Sequence, residues 1–304
     1  MGELGGVVVQ GPGTVSWVVH VGKAMWVGGV RGLMLQALHP RAMRGVWQNS
    51  DFREDPVGRL LRTADFVGRV TFGSPDEAEE VGRRVRRVHR GLRVREPGGF
   101  VGRVDEPELL LWVHCAEVSS YLETALRAGV RLSRGQADRY FLEQRRSAAY
   151  VGLAEEDVPG SVGEMREYFR GVRGRLEVTP EAAAAVRFLI SPALPERLRH
   201  LRVGKPLYWP FGALCYYTLP GWARRMYGVL PEVPEALVTA GLRGFRGALE
   251  MVPEPVYERV FMPSTREMLD GARERLGAAG YDVSKGLRGL RDPRRWPRRP
   301  RREP

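Results

Sequence analysis

Apolar side chains recur at steps of three and four residues along most of the chain, the spacing of one face of an α-helix. The clearest example covers residues 75–95, where a helix would align one apolar stripe: Ala78, Val81, Val85, Val88 and Leu92. No alternating pattern of convincing length competes with the helical one, although the stretch 203–217 leaves room for a short extended piece. The pattern therefore predicts an all-α fold.

Helix start signals support this prediction. Six places within about 130 residues combine a capping side chain with a proline in the first turn or a Glu or Gln three positions later. They begin at Asp55, Ser74, Asp105, Ser133, Ser161 and Thr179. Gly129 has the character of a helix C-cap. With no internal repeat and no linker, we predict a single multi-helix globular domain over residues 1–284.

Charge is concentrated at the end of the chain. Residues 285–304 hold nine Lys or Arg against two acidic residues, which is +7 of the formal net charge of +12. Prolines interrupt this run, so it cannot fold alone and is predicted to be a flexible basic tail. Solubility is its simplest role, and contact with an anionic membrane or with nucleic acid is the alternative.

The N-terminal apolar stretch, residues 15–38, is interrupted by His20, Lys23 and Arg31. It lacks a basic leader and a cleavage site, so it predicts neither a signal peptide nor a membrane span. A buried first helix is favoured over an amphipathic surface that contacts a membrane. Two cysteines are too few for a disulfide scaffold. We therefore predict a cytoplasmic protein, with peripheral membrane association as the alternative.

His89 follows Val85 by one helical turn and lies at the edge of the apolar stripe. An inward imidazole needs a partner for each ring nitrogen, and a metal is one candidate. From the residues alone, a hydrogen-bonded core histidine is the more common explanation. Arg86 and Arg93 lie about one turn before and after His89, where they could meet an anionic group. Pairing with nearby carboxylates explains these two arginines equally well.

Two further segments carry candidate chemistry. Arg59 and Thr63 are four residues apart on one predicted helix, so a cation and a hydroxyl would share a face and could hold or polarise dioxygen. His114 lies in a strongly apolar helix start and is the second candidate for an iron ligand. Its neighbour Cys115 would point about 100° away and is interpreted as an ordinary buried thiol. His39, before Pro40, could lie near a pocket or satisfy a helix terminus.

Several short sequence motifs, in order over residues 28–170, resemble those of the MpaB-type oxygenases and their distant relative, the latex clearing protein or rubber oxygenase. These motifs are Leu-Gln-Ala-Leu-His-Pro-Arg-Ala-Met at 35–43, Ser50-Asp51-Phe52, Asp55-Pro56 with Gly58-Arg59-Leu60-Leu61-Arg62-Thr63, Thr71-Phe72-Gly73, Val85-Arg86-Arg87-Val88-His89, and Leu111-Trp112-Val113-His114.

The resemblance implies an all-helical fold that encloses a b-type haem, with His89 as the proximal iron ligand. It also implies that Arg93 supports the haem or its histidine, that Arg59 and Thr63 lie near the haem, and that His114 has a structural or supporting role. Dioxygen would be the co-substrate, an electron donor a partner, and the substrate a hydrophobic isoprenoid or other unsaturated small molecule.

Two other functions remain open from the sequence. An axial histidine serves equally in a haem sensor, carrier or peroxidase-like protein without oxygenase activity. A basic nucleic-acid-binding protein is a third hypothesis, suggested by the tail and a sequence pI of about 10.3. Without the tail the formal charge is 12 − 7 = +5, and no helix-turn-helix or zinc-finger spacing is evident, so we expect no specific nucleic acid partner.

Overall fold

The computed structural model describes residues 14–192, 204–261 and 266–278. Within these ranges the chain forms fourteen α-helices and one small sheet, which confirms the mostly helical expectation. The helices are α1 (Val15–His20), α2 (Met25–Gln36), α3 (Pro40–Asn49), α4 (Pro56–Phe72), α5 (Pro75–Gly91), α6 (Pro107–Arg127), α7 (Arg134–Val151), α8 (Val162–Val172), α9 (Pro180–Ile190), α10 (Gly204–Tyr217), α11 (Gly221–Tyr227), α12 (Glu235–Met251), α13 (Glu254–Phe261) and α14 (Arg266–Ala278). The strands are β1 (Arg93–Arg95) and β2 (Val101–Arg103).

Helices α2 and α6 form the most extensive contact in the fold. Gly28 of α2 allows a close approach, because a Cβ at this position would lie 3.0 Å from the ring of Tyr121 on α6. Trp112 of α6 is fully buried, and its Nε1 donates to the carbonyl of Gln36 at the end of α2 (2.9 Å). This pairing holds α6 rigidly, so the inward residues of α6 have a defined position.

The N-terminal segment is part of the core, which confirms the prediction of a buried first helix. Trp17 is 1% exposed, and even Lys23 is buried. The Lys23 Nζ donates to the carbonyls of Leu249 (3.0 Å) and Val252 (2.8 Å) at the end of α12. A cation is well placed there, because the last carbonyls of a helix lack partners within the helix. In the described parts of the chain, no helix has the length and apolarity needed to cross a bilayer.

The predicted helix starts are largely confirmed. Asp55 and Thr179 cap α4 and α9 through their side chains, and Ser74 and Ser133 form complete capping boxes. At the fifth site, Ser161, the side chain caps α8, although Glu164 binds the amide of Gly160 instead of closing the box. The sixth signal is wrong, because Glu106 occupies the N-cap of α6 and Asp105 pairs with Arg103. Gly129, with φ of +99°, follows the end of α6 as predicted.

The predicted end of α5 is also wrong. The helix stops at Gly91, and residues 93–103 form an antiparallel hairpin in which Arg93 pairs with Arg103. Gly98 and Gly99 both have positive φ in its turn, a conformation that other residues rarely adopt. Gln48 of α3 holds the hairpin, because its amide exchanges two hydrogen bonds with the backbone of Arg95 (3.0 and 2.8 Å). Contacts with α3 therefore override the helical periodicity.

The aromatic stretch after residue 203 serves both the core and a cavity. Pro210 lies inside α10, and Tyr216 and Leu219 are buried in the main core. Tyr208 and Phe211 instead face a large cavity. The predicted tail, residues 285–304, lies outside the described residues, as does His200.

Candidate functional site

A cavity of about 60 Å³ lies among α1, α4, α5, α6 and α7 and gathers polar side chains from all five helices. Its apolar lining includes Phe66, Val67 and Val113. The polar side chains are His20, Thr71, His89, His114, Glu117, Tyr121, Gln144 and Ser147. So many polar groups in a small interior space require hydrogen-bond partners, water or a bound ligand.

His89 reaches this cavity from the last turn of α5. The helix buries Ala78 and Gly82 and exposes Arg83, Arg84, Arg87 and Arg90, so the imidazole is turned toward α6. Val88, assigned to the apolar stripe from the sequence, is 53% exposed. The Nδ1 atom of His89 is buried and has no hydrogen-bond partner among the described residues. Burial lowers the pKa of His89, and the positive charge of Arg59 lowers it further against an opposing effect of Asp105.

His114 faces the same cavity from α6. Its side chain is buried, and its Nε2 has no hydrogen-bond partner in the described part of the chain. Burial lowers the pKa of His114 to about 4, so the ring is neutral at pH 7. The structure therefore brings together the two histidines that the sequence singled out as candidate iron ligands, each with an unsatisfied ring nitrogen.

Glu117 and His20 complete the cavity, and neither was singled out from the sequence. Glu117 follows His114 by three residues on α6, and burial raises its pKa to about 7. His20 lies 3.2 Å from the Tyr140 hydroxyl, and burial lowers its pKa to about 3. The spacing of His114, Glu117 and Tyr121 on one face of an apolar helix was a usable signal for Glu117. His20 had no comparable sequence signal, because α1 is far along the chain from α5 and α6.

Arg59 lines a second, larger cavity of about 570 Å³. The Arg59 Nη1 donates to the hydroxyl of Ser50 (2.6 Å), and burial is the main cause of its lowered pKa. The walls of this cavity are mostly apolar and come from α2, α3, α4, α9 and α10. They include Val30, Leu33, Met43, Val46, Phe52, Leu60, Phe188, Leu189 and Phe211. Its volume lies within the range of about 300–1,000 Å³ that is typical of small-molecule sites.

Thr63 does not join Arg59 in the large cavity. Its hydroxyl donates to the carbonyl of Arg59 (3.2 Å), and its side chain lines a third cavity of about 100 Å³. This third cavity shares His20, Val67 and Tyr121 with the one beside His89. The expected donor pair is therefore divided between two cavities.

Two other candidates, Arg86 and Arg93, do not line the cavity beside His89. Arg86 donates to the carbonyl of Tyr150 and to Glu79 (both 2.8 Å), which matches the interpretation as an ion pair. Arg93 was expected one helical turn beyond His89, but it lies on β1, where it is exposed and donates to the carbonyls of Arg90 (2.7 Å) and Leu92 (3.0 Å). The helix ends before it, so this expected position is wrong.

His39 caps a helix. Its Nδ1 accepts from the Ala42 amide at the start of α3 (3.5 Å), and its Nε2 lies 3.5 Å from Glu108. The terminal role proposed as one of its two interpretations therefore matches its position. Cys115, next to His114, is a buried free thiol whose pKa is raised by burial, as expected of an ordinary core cysteine.

Comparison with protein families adds the chemistry that the geometry leaves open. Residues 17–252 match the family model of the "ER-bound oxygenase mpaB/B'/Rubber oxygenase, catalytic domain". The chain belongs to this oxygenase family. The match covers the end of α1 and all of α2 to α12, and it includes every residue that lines the three cavities except Tyr257. Comparison with curated proteins and with solved structures gave no match.

Because the chain belongs to the mpaB/rubber oxygenase family, we compare the residues of the site with the requirements of an oxygenase. His89 and His114 present the kind of donor that an iron porphyrin takes, a neutral imidazole with a buried nitrogen that has no hydrogen-bond partner among the described residues. The 60 Å³ cavity that both side chains line has room for only a few water molecules and is smaller than a porphyrin. The donor atoms fit the cofactor, whereas the ring fits only if side chains such as Val67 move and join this cavity to the adjoining one.

Proposed function

We propose that this chain is a haem b-dependent oxygenase of a hydrophobic small molecule, an isoprenoid or another unsaturated compound, with His89 as the iron ligand. The observation that carries the proposal is the pair of buried, unpartnered nitrogens on His89 and His114, found in a member of an oxygenase family. Bound haem would supply the capacity to activate dioxygen.

His89 is suited to bind iron because its ring stays neutral near pH 7. The directions of its pKa shifts favour the form with a free nitrogen lone pair, which metal binding requires. Its position in the last turn of α5, half-buried, leaves the ring beside both the cavity and the protein surface. His114 lies deeper, within the centre of α6, so we assign it the second place.

The 570 Å³ cavity is the proposed substrate site. Its apolar walls would stabilise a hydrocarbon chain by removing it from water, and Val113 lines both this cavity and the one beside His89. The guanidinium of Arg59, already fixed by Ser50, would orient polar groups at the cavity wall and stabilise developing negative charge there. Because Thr63 donates within α4, Arg59 carries this role without it.

Glu117 is the proposed proton carrier of the site. A carboxyl with a pKa of about 7 is present in both protonation states near neutral pH, so its Oε atoms can give or take a proton. It lies on the same wall as His114 and lines the cavity next to His89. A proton could pass from Glu117 to a group held there, or return to it, without crossing the apolar cavity.

The first test is the ultraviolet–visible spectrum of the purified chain after haem supplementation, before and after reduction with dithionite. We expect a Soret band that His89→Ala abolishes or shifts and that the control variant His39→Ala leaves unchanged, because His39 caps α3. Loss of the band in His114→Ala together with an unchanged spectrum in His89→Ala would reassign the iron ligand to His114. Failure of the wild-type chain to bind haem would contradict the proposal.

The substrate is tested separately with ¹⁸O₂, a reductant and a panel of unsaturated hydrocarbons of increasing length. We expect incorporation of label into an apolar product. A chain that binds haem and forms no labelled product with any member of the panel would favour a sensor or carrier instead.

A further inference from the structure

A fourth cavity, an open cleft of about 610 Å³, lies apart from the three cavities described above. It shares no lining residue with the 60 Å³ or the 570 Å³ cavity and uses a different face of α2. We call it the arginine cleft, because its lining includes Arg31, Arg127, Arg134, Arg166 and Arg173. Two glutamates, Glu123 and Glu235, also line it, which leaves an excess of three positive formal charges.

Arg31 is the unusual member of this group because it is 96% buried, with an exposure of 4%. Its Nε donates to the carbonyl of Thr218 (2.9 Å), and its Nη1 donates to the hydroxyl of Ser120 (2.5 Å). Its Nη2 has no hydrogen-bond partner among the described residues. No carboxylate in the described part of the chain lies within ion-pair distance of this guanidinium.

A buried cation without a counter-ion is unfavourable, because neutral partners replace only part of the lost hydration. Burial accordingly lowers the pKa of Arg31 to about 10, with opposing effects from Glu123 and Arg127. Glu123 is exposed on α6 and forms no ion pair among the described residues. The lining of the cleft therefore keeps a net positive charge, which Glu123 offsets only in part and without forming an ion pair to Arg31 among the described residues.

The remaining arginines line the same cleft. Arg127 forms an ion pair with Glu235, which also pairs with Arg224. Arg134 and Arg166 are exposed and have no ion pair within the described ranges. Arg173 is held over the ring of Trp222, 4.4 Å from its centre. Three of these side chains are thus available to an anion that reaches Arg31.

The cleft also has an apolar wall, which distinguishes it from a simple basic patch. Leu126, Leu132, Phe169 and Trp222 line it and are only partly buried by the protein. A small inorganic anion would leave these side chains in water. A ligand with an apolar body would cover them and gain the free energy of removing that area from water.

We propose that the arginine cleft binds an organic anion with an apolar body, its carboxylate or phosphate head on Arg31 and its chain against Leu126, Phe169 and Trp222. Charge-assisted hydrogen bonds to guanidinium groups fix the head, and aromatic contact fixes the body. This site is independent of the proposed oxygenase reaction, since none of its residues lines the cavities assigned to that reaction.

The test is isothermal titration calorimetry of the full chain without haem, with dodecyl phosphate and dodecanoate as probes, each below its micellar concentration. Dodecanol and inorganic phosphate serve as matched probes that lack the charge or the chain. We expect saturable binding of one equivalent of an anionic amphiphile, and weaker binding of both matched probes by about tenfold or more. Failure of haem binding would not affect this measurement.

Variants assign the binding to the cleft. Arg31→Gln and Arg166→Ala should each weaken binding about tenfold, and Glu123→Gln should strengthen it because it removes a negative charge beside Arg31. Arg170→Ala is the matched control, since Arg170 is an exposed arginine of α8 outside the cleft. If Arg31→Gln does not fold, the affinities of Arg166→Ala and Glu123→Gln test whether the probe binds in the cleft.

Equal affinity in Arg166→Ala, Glu123→Gln and Arg170→Ala would overturn the proposal, because the probe would then bind elsewhere. Binding of many equivalents, or no binding of either anionic probe, would overturn it as well. Tight binding of dodecanoate with no binding of dodecyl phosphate would support the site and identify carboxylates as its ligands, and the reverse result would identify phosphates.

Discussion

At the residue scale, burial shifts the pKa values of two side chains in the cavity beside His89 in opposite directions. Burial disfavours charge, so it raises the pKa of the acid Glu117 to about 7 and lowers the pKa of the base His114 to about 4. Both groups are therefore neutral or nearly so in the folded protein at pH 6. The desolvation that leaves His114 neutral also gives Glu117 a pKa suited to proton transfer.

At this scale, Glu117→Gln should change how stability depends on pH. Between pH 4.5 and about 7 the folded state keeps the Glu117 proton while the unfolded state loses it, so stability of the wild type falls as pH rises through this window. Glutamine has no proton to lose. The variant should match the wild type near pH 4 and exceed it at pH 8 by up to about 3 kcal/mol.

Urea unfolding of the haem-free chain at several pH values measures this difference. His114 acts in the opposite sense between about pH 4 and 6.5, but it is present in both proteins and cancels in the comparison. Glu167→Gln, at an exposed position of α8 without an ion pair among the described residues, is the control and should follow the wild type. If the free energies of unfolding of wild type and Glu117→Gln depended on pH in the same way, the folded protein would not retain the Glu117 proton above pH 4.5, and the prediction would be wrong.

Among the elements, α9 and α10 are placed by a direct backbone contact. Gly212 of α10 is buried against the end of α9, where a Cβ would lie only 2.3 Å from the carbonyl oxygen of Ile190. Both helices also line the proposed substrate cavity, α9 through Phe188 and Leu189 and α10 through Phe211. A glycine thus sets the distance between two walls of the cavity.

Gly212→Ala should destabilise the protein by about 1–3 kcal/mol, because α10 must move away from α9. Gly244→Ala is the matched control: Gly244 is exposed in α12 with nothing near its missing Cβ, so alanine there should stabilise the helix by about 0.5–1 kcal/mol. Chemical denaturation compares the two. Similar effects of both substitutions would contradict the close contact.

At the scale of the whole molecule, the cavities differ in the polarity and charge of their walls. Polar groups gather beside His89, apolar walls enclose the 570 Å³ cavity, and the arginine cleft opens on a different face of α2. This arrangement would keep an apolar substrate apart from charged ligands, because transfer of a charge into the apolar cavity would be unfavourable. Ligand binding to the proposed haem site and to the proposed substrate cavity could therefore be altered independently through residues that line only one of them.

Ala185→Leu should fill part of the apolar cavity while leaving haem binding intact. Ala185 is buried in α9 and lines that cavity, so a larger side chain would compete with the substrate. We expect kcat/KM for the longest accepted substrate to fall by roughly tenfold, with an unchanged Soret band. Ala184→Leu, one position away and outside the cavity lining, is the control. Equal turnover in wild type and Ala185→Leu would mean that the substrate binds elsewhere.

The sequence by itself determined the mostly helical fold, five of the six helix starts that it predicted, and the histidines of interest. Caps such as Ser74 and Ser133 act on amides within three residues, and the apolar period of α5 reflects neighbours along the chain, so both can be read locally. The motifs shared with the oxygenase family lie in the same segments, and the match to the family model confirms that family.

Only the tertiary structure decided which residues share a cavity. Glu117 lines one cavity with His20 and His89 because α1, α5 and α6 pack together, and the hairpin replaces the end of α5 because α3 binds it. Arg31 lines an open cleft because α2 packs beside α6 and the segment around Thr218, and no described carboxylate lies within ion-pair distance of it. Local hydrogen bonds and periodicity depend on residues near in sequence, whereas burial and shifted pKa values depend on elements that are distant in sequence and meet only in the folded chain.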